Sequence, residues 1–148
     1  MLERINADAR LNSCVCSGLQ AIKKADRSKF VAKDTRKLQL SIDIDSCFSE
    51  AQPNAHRWDY LVITTGGIVG HFVEVHPAGT GEVSKVIAKK QWLTREVIGT
   101  TFKRVESIRY RISWVATNAG VHILPTSRDY KLLAKENLLP LKRYEFTV

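Results

Sequence analysis

The chain has 148 residues, 44% of them apolar and 26% charged, an ordinary balance for one compact domain and a poor one for disorder. No apolar run approaches the roughly 20 residues that cross a bilayer, and the N-terminus MLERINADAR lacks the apolar stretch of a signal peptide. These features predict a single soluble, cytoplasmic domain over 1–148 with no membrane partner. The net charge of +8 is uneven: Met1–Glu74 holds 10 Lys/Arg against 9 Asp/Glu, and Val75–Val148 holds 13 against 6. A basic half concentrates polyanions, of which nucleic acid is the commonest.

From Ile5 to about Ala25, Leu11, Val15, Leu19 and Ile22 fall on one face at helical spacing, which predicts a helix despite Gly18. Cys14, Cys16 and Cys47 cannot make a fully paired set, and the single residue between Cys14 and Cys16 is not zinc-knuckle spacing, so all three are expected reduced and mostly buried. Residues 38–45 alternate apolar and polar as a half-buried strand; 49–57 is a loop broken at Pro53 and Asn54. A second strand spans about Trp58 to Thr64, Gly66-Gly67 turns the chain, and a third spans about Ile68 to His76.

Thr80 is a plausible N-cap for the helix 83–93, with Val83, Val86, Ile87 and Leu93 for burial and Lys85, Lys89 and Lys90 for solvent. Ile108, Tyr110, Ile112 and Trp114 alternate with polar residues in a fourth strand. Asn118-Ala119-Gly120 reads as a turn and Val121–Leu124 as a returning fifth. Thr126 or Ser127 caps a last helix to about Asn137, and 144–148 reads as an edge strand. The expected class is α/β: a helix, a three-strand antiparallel meander, a helix and a fourth strand, with an extra C-terminal strand and helix.

A two-residue Gly-Gly loop needs positive φ, which only glycine adopts freely. It sets Thr65 opposite Ile68 and, carrying the same register outward, Asp59 opposite Glu74. Opposed residues of an antiparallel pair share a face with Cβ atoms about 5 Å apart. His76, two residues beyond Glu74, projects from that face as well. Two carboxylates side by side repel unless a cation lies between them, and Mg²⁺ or Mn²⁺ suits oxygen donors. Such a site orients a water and a phosphodiester, and a histidine of near-neutral pKa can manage the water or complete the coordination. Taken singly, Asp59 reads as a loop-end cap and Glu74 as an ion-pair partner for Arg57 or a lysine.

Trp58-Asp59-Tyr60 followed by Phe72-Val73-Glu74-Val75-His76 resembles the PD-(D/E)XK (restriction endonuclease-like) nuclease superfamily, whose helix, three-strand meander, helix and fourth strand are similar to the order read from Ile5 to Thr117. The resemblance implies metal-dependent hydrolysis of phosphodiesters, in DNA rather than RNA, with Asp59 and Glu74 as metal ligands and His76 standing where the family has lysine. It departs from the family there and at Trp58, which replaces the motif proline. Lys85 or Lys89 could supply the missing charge, and Glu3 could serve as the first-helix acid that some members use. Lys85, Lys89, Lys90, Arg109 and Arg111 are candidate phosphate contacts.

Trp58, Trp92 and Trp114 could stack on bases, but their spacing fits a core. His56, His71 and His122 are scattered, and His71 should face away from His76. No G-x-S-x-G or G-x-x-x-x-G-K-[ST] string occurs. A catalytically degenerate module binding nucleic acid or a partner protein, and an interaction protein such as a small immunity or inhibitor protein, are the alternatives. Nucleases that cut both strands often dimerise, which leaves a homodimer open.

Overall fold

The computed structural model describes residues 1–65, 69–103 and 108–146. The elements are α1 (Leu2–Ala7), β1 (Val15–Ser17), β2 (Phe30–Val31), β3 (Leu38–Asp43), α2 (Ile44–Phe48), β4 (Tyr60–Thr64), β5 (Gly70–Gly79) and α3 (Val83–Leu93). After α3 a π-helical turn, Thr94–Ile98, leads into α4 (Gly99–Thr101), and then come β6 (Tyr110–His122), α5 (Arg128–Lys135) and β7 (Tyr144–Glu145).

The architecture is mixed α/β, built on a mostly antiparallel five-stranded sheet in the order β1-β3-β4-β5-β6. Strands β3, β4 and β5 form an antiparallel meander; α3 then carries the chain across, so that β6 lies parallel to β5. A strand buried on both faces reads as a continuous apolar run, and Tyr60-Leu61-Val62-Ile63-Thr64 of β4 is buried throughout. Its alternate residues serve two cores. Leu61 and Ile63 join Phe72, Trp114, Val86 and Leu93 beneath α3. Tyr60 and Val62 join Val73, Val115, Phe30, Tyr144 and Phe146 on the other face. There β2 and β7 pair in parallel as a separate ribbon. A two-stranded ribbon has little stability of its own, so burial of Phe30, Tyr144 and Phe146, about 2 kcal/mol each, holds it to the sheet.

The β4–β5 register is the one expected: Tyr60 lies opposite Val73, Leu61 opposite Phe72, and Ile63 opposite Gly70. The Gly66-Gly67 turn itself lies outside the described residues. Helix α3 occupies the expected span 83–93, although its N-cap is Glu82 and a 3₁₀ turn at Thr80–Glu82 precedes it. Ser127 caps α5 by accepting the Tyr130 N–H.

Four expectations are corrected. The helix from Ile5 to Ala25 is absent: α1 stops at Ala7, and Val15–Ser17 is a fifth strand, paired with β3. Asp8 takes the Arg10 N–H onto its carboxylate, the competing local bond that ends helices, and Gly18 has φ +53. Leu11 and Ile22 are buried in different cores on opposite faces of the sheet, which one helix could not achieve. Secondly, Cys14 and Cys47 form a disulfide, leaving only Cys16 free. Val15 lies opposite Ile42, so the residue before it falls against α2, which carries Cys47. Thirdly, Asn118–Gly120 does not reverse the chain. It bulges out of β6, and Val121 and His122 rejoin the same partner opposite Ala78 and Gly79. Of the expected extra strand at 121–124, Val121 and His122 belong to β6, and of the expected edge strand at 144–148, Tyr144–Glu145 is β7, in the second ribbon. Fourthly, Lys89 and Lys90 are largely withdrawn from solvent. Among the described residues, no helix is long and apolar enough to cross a membrane.

Candidate functional site

Asp59 lies one residue before β4 and Glu74 lies within β5, on the face that carries Leu61 and Phe72 towards α3. Their pairing continues the ladder, and each carboxylate accepts a backbone N–H from the facing strand. The Asp59 N–H donates to Glu74 Oε2 at 2.9 Å, and the Val75 N–H donates to Asp59 Oδ2 at 3.0 Å. Glu74 is completely buried and Asp59 half-buried. Burial, and then the Glu74 charge beside it, push Asp59 up to about 7.

Lys89 reaches this pair from α3. Its ammonium donates to Glu74 Oε1, the oxygen not taken by the Asp59 amide. Burial opposes the charge on Lys89, but Glu74 and Asp59 outweigh it and hold its pKa above the usual lysine value. Val86 and Leu93 are buried beneath the helix. Residues three and four apart on a helix share a face, so Lys89, between them, is directed at the sheet.

His76 shares the face of Glu74, as the spacing predicts. Its Nδ1 lies 3.6 Å from Glu74 Oε1, and its Nε2 contacts Glu82 Oε2 at 2.6 Å. The Glu74 interaction raises its pKa against the opposing effect of burial, and Glu82 adds to the rise. Both ring nitrogens are thus engaged by carboxylates. Lys85 stands 3.5 Å from Glu82 at the rim of the cluster.

The other candidates lie elsewhere. Lys90 binds the Glu136 carbonyl and carboxylate. Arg109 is exposed ahead of β6, its carbonyl accepting the Val69 and Gly70 amides. Arg111 lies opposite His71 on the far face of the sheet, where it eases the burial-raised pKa of Tyr144. Glu3 is exposed on α1. His71, buried between Thr64 Oγ1 and the Tyr144 hydroxyl, faces away from His76 as its odd spacing requires. Trp58, Trp92 and Trp114 are all buried in the core.

Two neighbours were not legible as part of the site. Asp45, in the first turn of α2, adds negative potential at Asp59 and Lys89, and it is held by Arg57 at 2.9 Å. Its one signal is the Asp43-x-x-Ser46 spacing of a helix start; Asp43 does accept the Ser46 N–H. Glu82 reads from sequence only as a favourable first-turn acid.

Among the described residues, no cluster of three or more His, Cys, Asp and Glu side chains is arranged to hold a metal ion. Glu74 is buried with both oxygens bonded, so a hard cation, which one or two carboxylates commonly hold, would have to displace Lys89 to reach it. Comparisons with models of protein families, with curated proteins and with solved structures found no match.

Proposed function

We propose that the protein is a metal-dependent nuclease of the PD-(D/E)XK, restriction endonuclease-like type, hydrolysing phosphodiesters in DNA in preference to RNA. One observation carries the reading: Asp59 and Glu74 face each other across an antiparallel hairpin with a lysine on their shared face. The meander, crossing helix and parallel fourth strand around the trio support the reading, while the family's opening helix is reduced to the six residues of α1 and the strand β1 is added. Lys89, from α3, stands in for the motif lysine whose strand position is held by His76.

In this reading Asp59 and Glu74 hold Mg²⁺ or Mn²⁺. The cation, when bound, supplies a Lewis acid for the phosphate and lowers the pKa of a bound water. The backbone amides of Asp59 and Val75 fix one oxygen of each carboxylate, and a cation at Glu74 would take Oε1 from Lys89. Lys89 compensates the buried Glu74 charge and presents an ammonium where negative charge builds on phosphate oxygens. His76, tethered between Glu74 and Glu82, orients Glu74 and the end of β5. Lys85 at the rim is placed to meet the nucleic-acid backbone.

A second reading has its own support. Glu74 exposes no surface, and both of its oxygens are already engaged, as in a structural ion pair within a degenerate module that binds nucleic acid without cutting it. Cleavage assays on linear, supercoiled and branched DNA with Mn²⁺, run beside Glu74→Ala and Lys89→Ala, separate the two. The nuclease reading requires metal-dependent cutting by the wild type that both variants lose. Salt-sensitive DNA binding without cutting under any divalent metal would leave the binding module.

A further inference from the structure

We propose that the Cys14–Cys47 disulfide is a redox control on the carboxylate pair, acting through α2. The proposal builds on the nuclease reading for its effect on activity, but its structural half stands without it.

Helix α2 touches both components of the site. At its start, the Ile44 and Asp45 amides donate to the Asp59 carbonyl, at 2.8 and 3.4 Å. One turn later, Phe48 packs edge-to-face on Trp92 at 5.3 Å between ring centroids. Trp92 lies on α3 three residues beyond Lys89, and its indole N–H donates to Gln52 just past α2. The placement of α2 therefore bears on Asp59 through a backbone carbonyl and on Lys89 through the helix that carries it.

A helix of five residues cannot hold itself. Its outer side is fixed by the N-terminal segment, through the disulfide at Cys47 and the Arg10 guanidinium 5.2 Å over the Phe48 ring. Both bonded cysteines retain some exposure, so a reductant has access. A dithiol, small or protein-borne, is the required co-reactant. One of its thiolates attacks a sulfur of the bridge and displaces the other as a thiolate that takes up a proton. Its second thiol then resolves the mixed disulfide, leaving Cys14 and Cys47 as thiols and the dithiol oxidised. The released α2 loses its covalent anchor and loosens the carbonyl it supports. Reduction thus weakens the site and oxidation sets it.

The test compares the full-length protein, oxidised and dithiol-reduced, by amide hydrogen exchange in metal-free buffer. Four amides report directly: Ile44 and Asp45, bonded to the Asp59 carbonyl, and Asp59 and Val75, bonded to the paired carboxylates. Reduction should speed their exchange by about tenfold or more through a local opening that low urea does not alter, whereas Leu61 and Phe72, deeper in the hairpin, should follow the urea dependence of global unfolding. Cys47→Ser should reproduce the reduced pattern and Cys16→Ser should keep the wild-type response. Mn²⁺-dependent cleavage by the wild type should fall several-fold on reduction and return on reoxidation. Unchanged exchange at Asp59 and Val75 overturns the proposal, as does cleavage that ignores the redox state. Absence of cleavage in both states, with the four amides still responding, removes the nuclease reading and leaves the coupling demonstrated.

Discussion

Among the ion pairs of the described residues, Glu74–Lys89 is the most deeply buried. Glu74 has no exposed surface, and the Lys89 side chain keeps 18% of its own. Removing one partner of a buried pair strands the other, at a cost of about 3–5 kcal/mol. Lys89→Met should therefore destabilise by that order in urea denaturation. Lys89→Met combined with Glu74→Gln should recover most of the loss while cleavage stays abolished. Additive losses in the double variant would show that the pair is not coupled.

Asp59 gives the opposite kind of prediction. Its carboxyl titrates at an ordinary value of 3.8 in the unfolded chain and at about 7 in the folded one. Between those values the folded protein holds a proton that the unfolded chain has released, so stability falls as pH rises through the window and does not return above it. His76 is also raised, but its contribution is complete below its ordinary value of 6.5 and is lost only as pH climbs past the folded pKa. Between about pH 4.5 and 6 the difference between wild type and Asp59→Asn isolates Asp59, because the Glu82 and His76 contributions are common to both. Asp59→Asn can keep an oxygen acceptor for the Val75 amide. Relative to wild type in chelator, it should gain about 2 kcal/mol between low pH and pH 8, allowing for partial solvent access. Parallel pH profiles for the two proteins would contradict this.

At the level of elements, legibility from sequence followed how local the deciding forces were. The β4–β5 register is readable because a Gly-Gly pair in the sequence between two apolar runs, with a two-residue period, leaves little choice, and the opposed acids follow from it. Helix α3 was readable from its own periodicity. Charge patterning places Lys89 in solvent, with a reach to the acids as an alternative, because it cannot distinguish an exposed lysine from one drawn in by a buried carboxylate. The segment from Leu11 to Ile22 misled for a different reason. Helical spacing of apolar residues presumes one destination for all of them, and this chain sends Leu11 and Ile22 to separate cores. The bulge at Asn118–Gly120 carries the residues of a turn, and only pairing with β5 decides between them.

The π-turn after α3 yields an element-scale prediction. The Gly99 amide donates to the Thr94 carbonyl, and a Cβ on Gly99 would lie 2.8 Å from that oxygen. Exposed Gly→Ala in a regular helix gains about 1 kcal/mol. Here Gly99→Ala should instead lose about 1–2 kcal/mol, measured as the shift of the thermal or urea midpoint. A gain would mean that the turn relaxes to a regular helix at little cost.

For the whole molecule, the disulfide joins residues 33 apart in sequence and ties the N-terminal segment to the sheet. A loop of that length should contribute about 3–4 kcal/mol, chiefly by restricting the unfolded chain. Cys47→Ser should lower the urea midpoint accordingly, and dithiol should lower the wild type to the same value while leaving the variant unmoved. A wild type indifferent to dithiol would place the bridge outside the stability of the fold.

The β2–β7 ribbon has a mechanical consequence. It clasps Phe30 to Tyr144 with two rungs, and the Phe146 amide donates to the Val31 carbonyl. An unfolding motor that grips the C-terminal end would load this short clasp before any strand of the main sheet. Once it opens, the Tyr144 hydroxyl withdraws from His71, and a histidine inside the sheet faces water. Force applied from that end would be felt first beneath the hairpin's far face, and the rupture trace of a tethered molecule should show a small early step ahead of the main event.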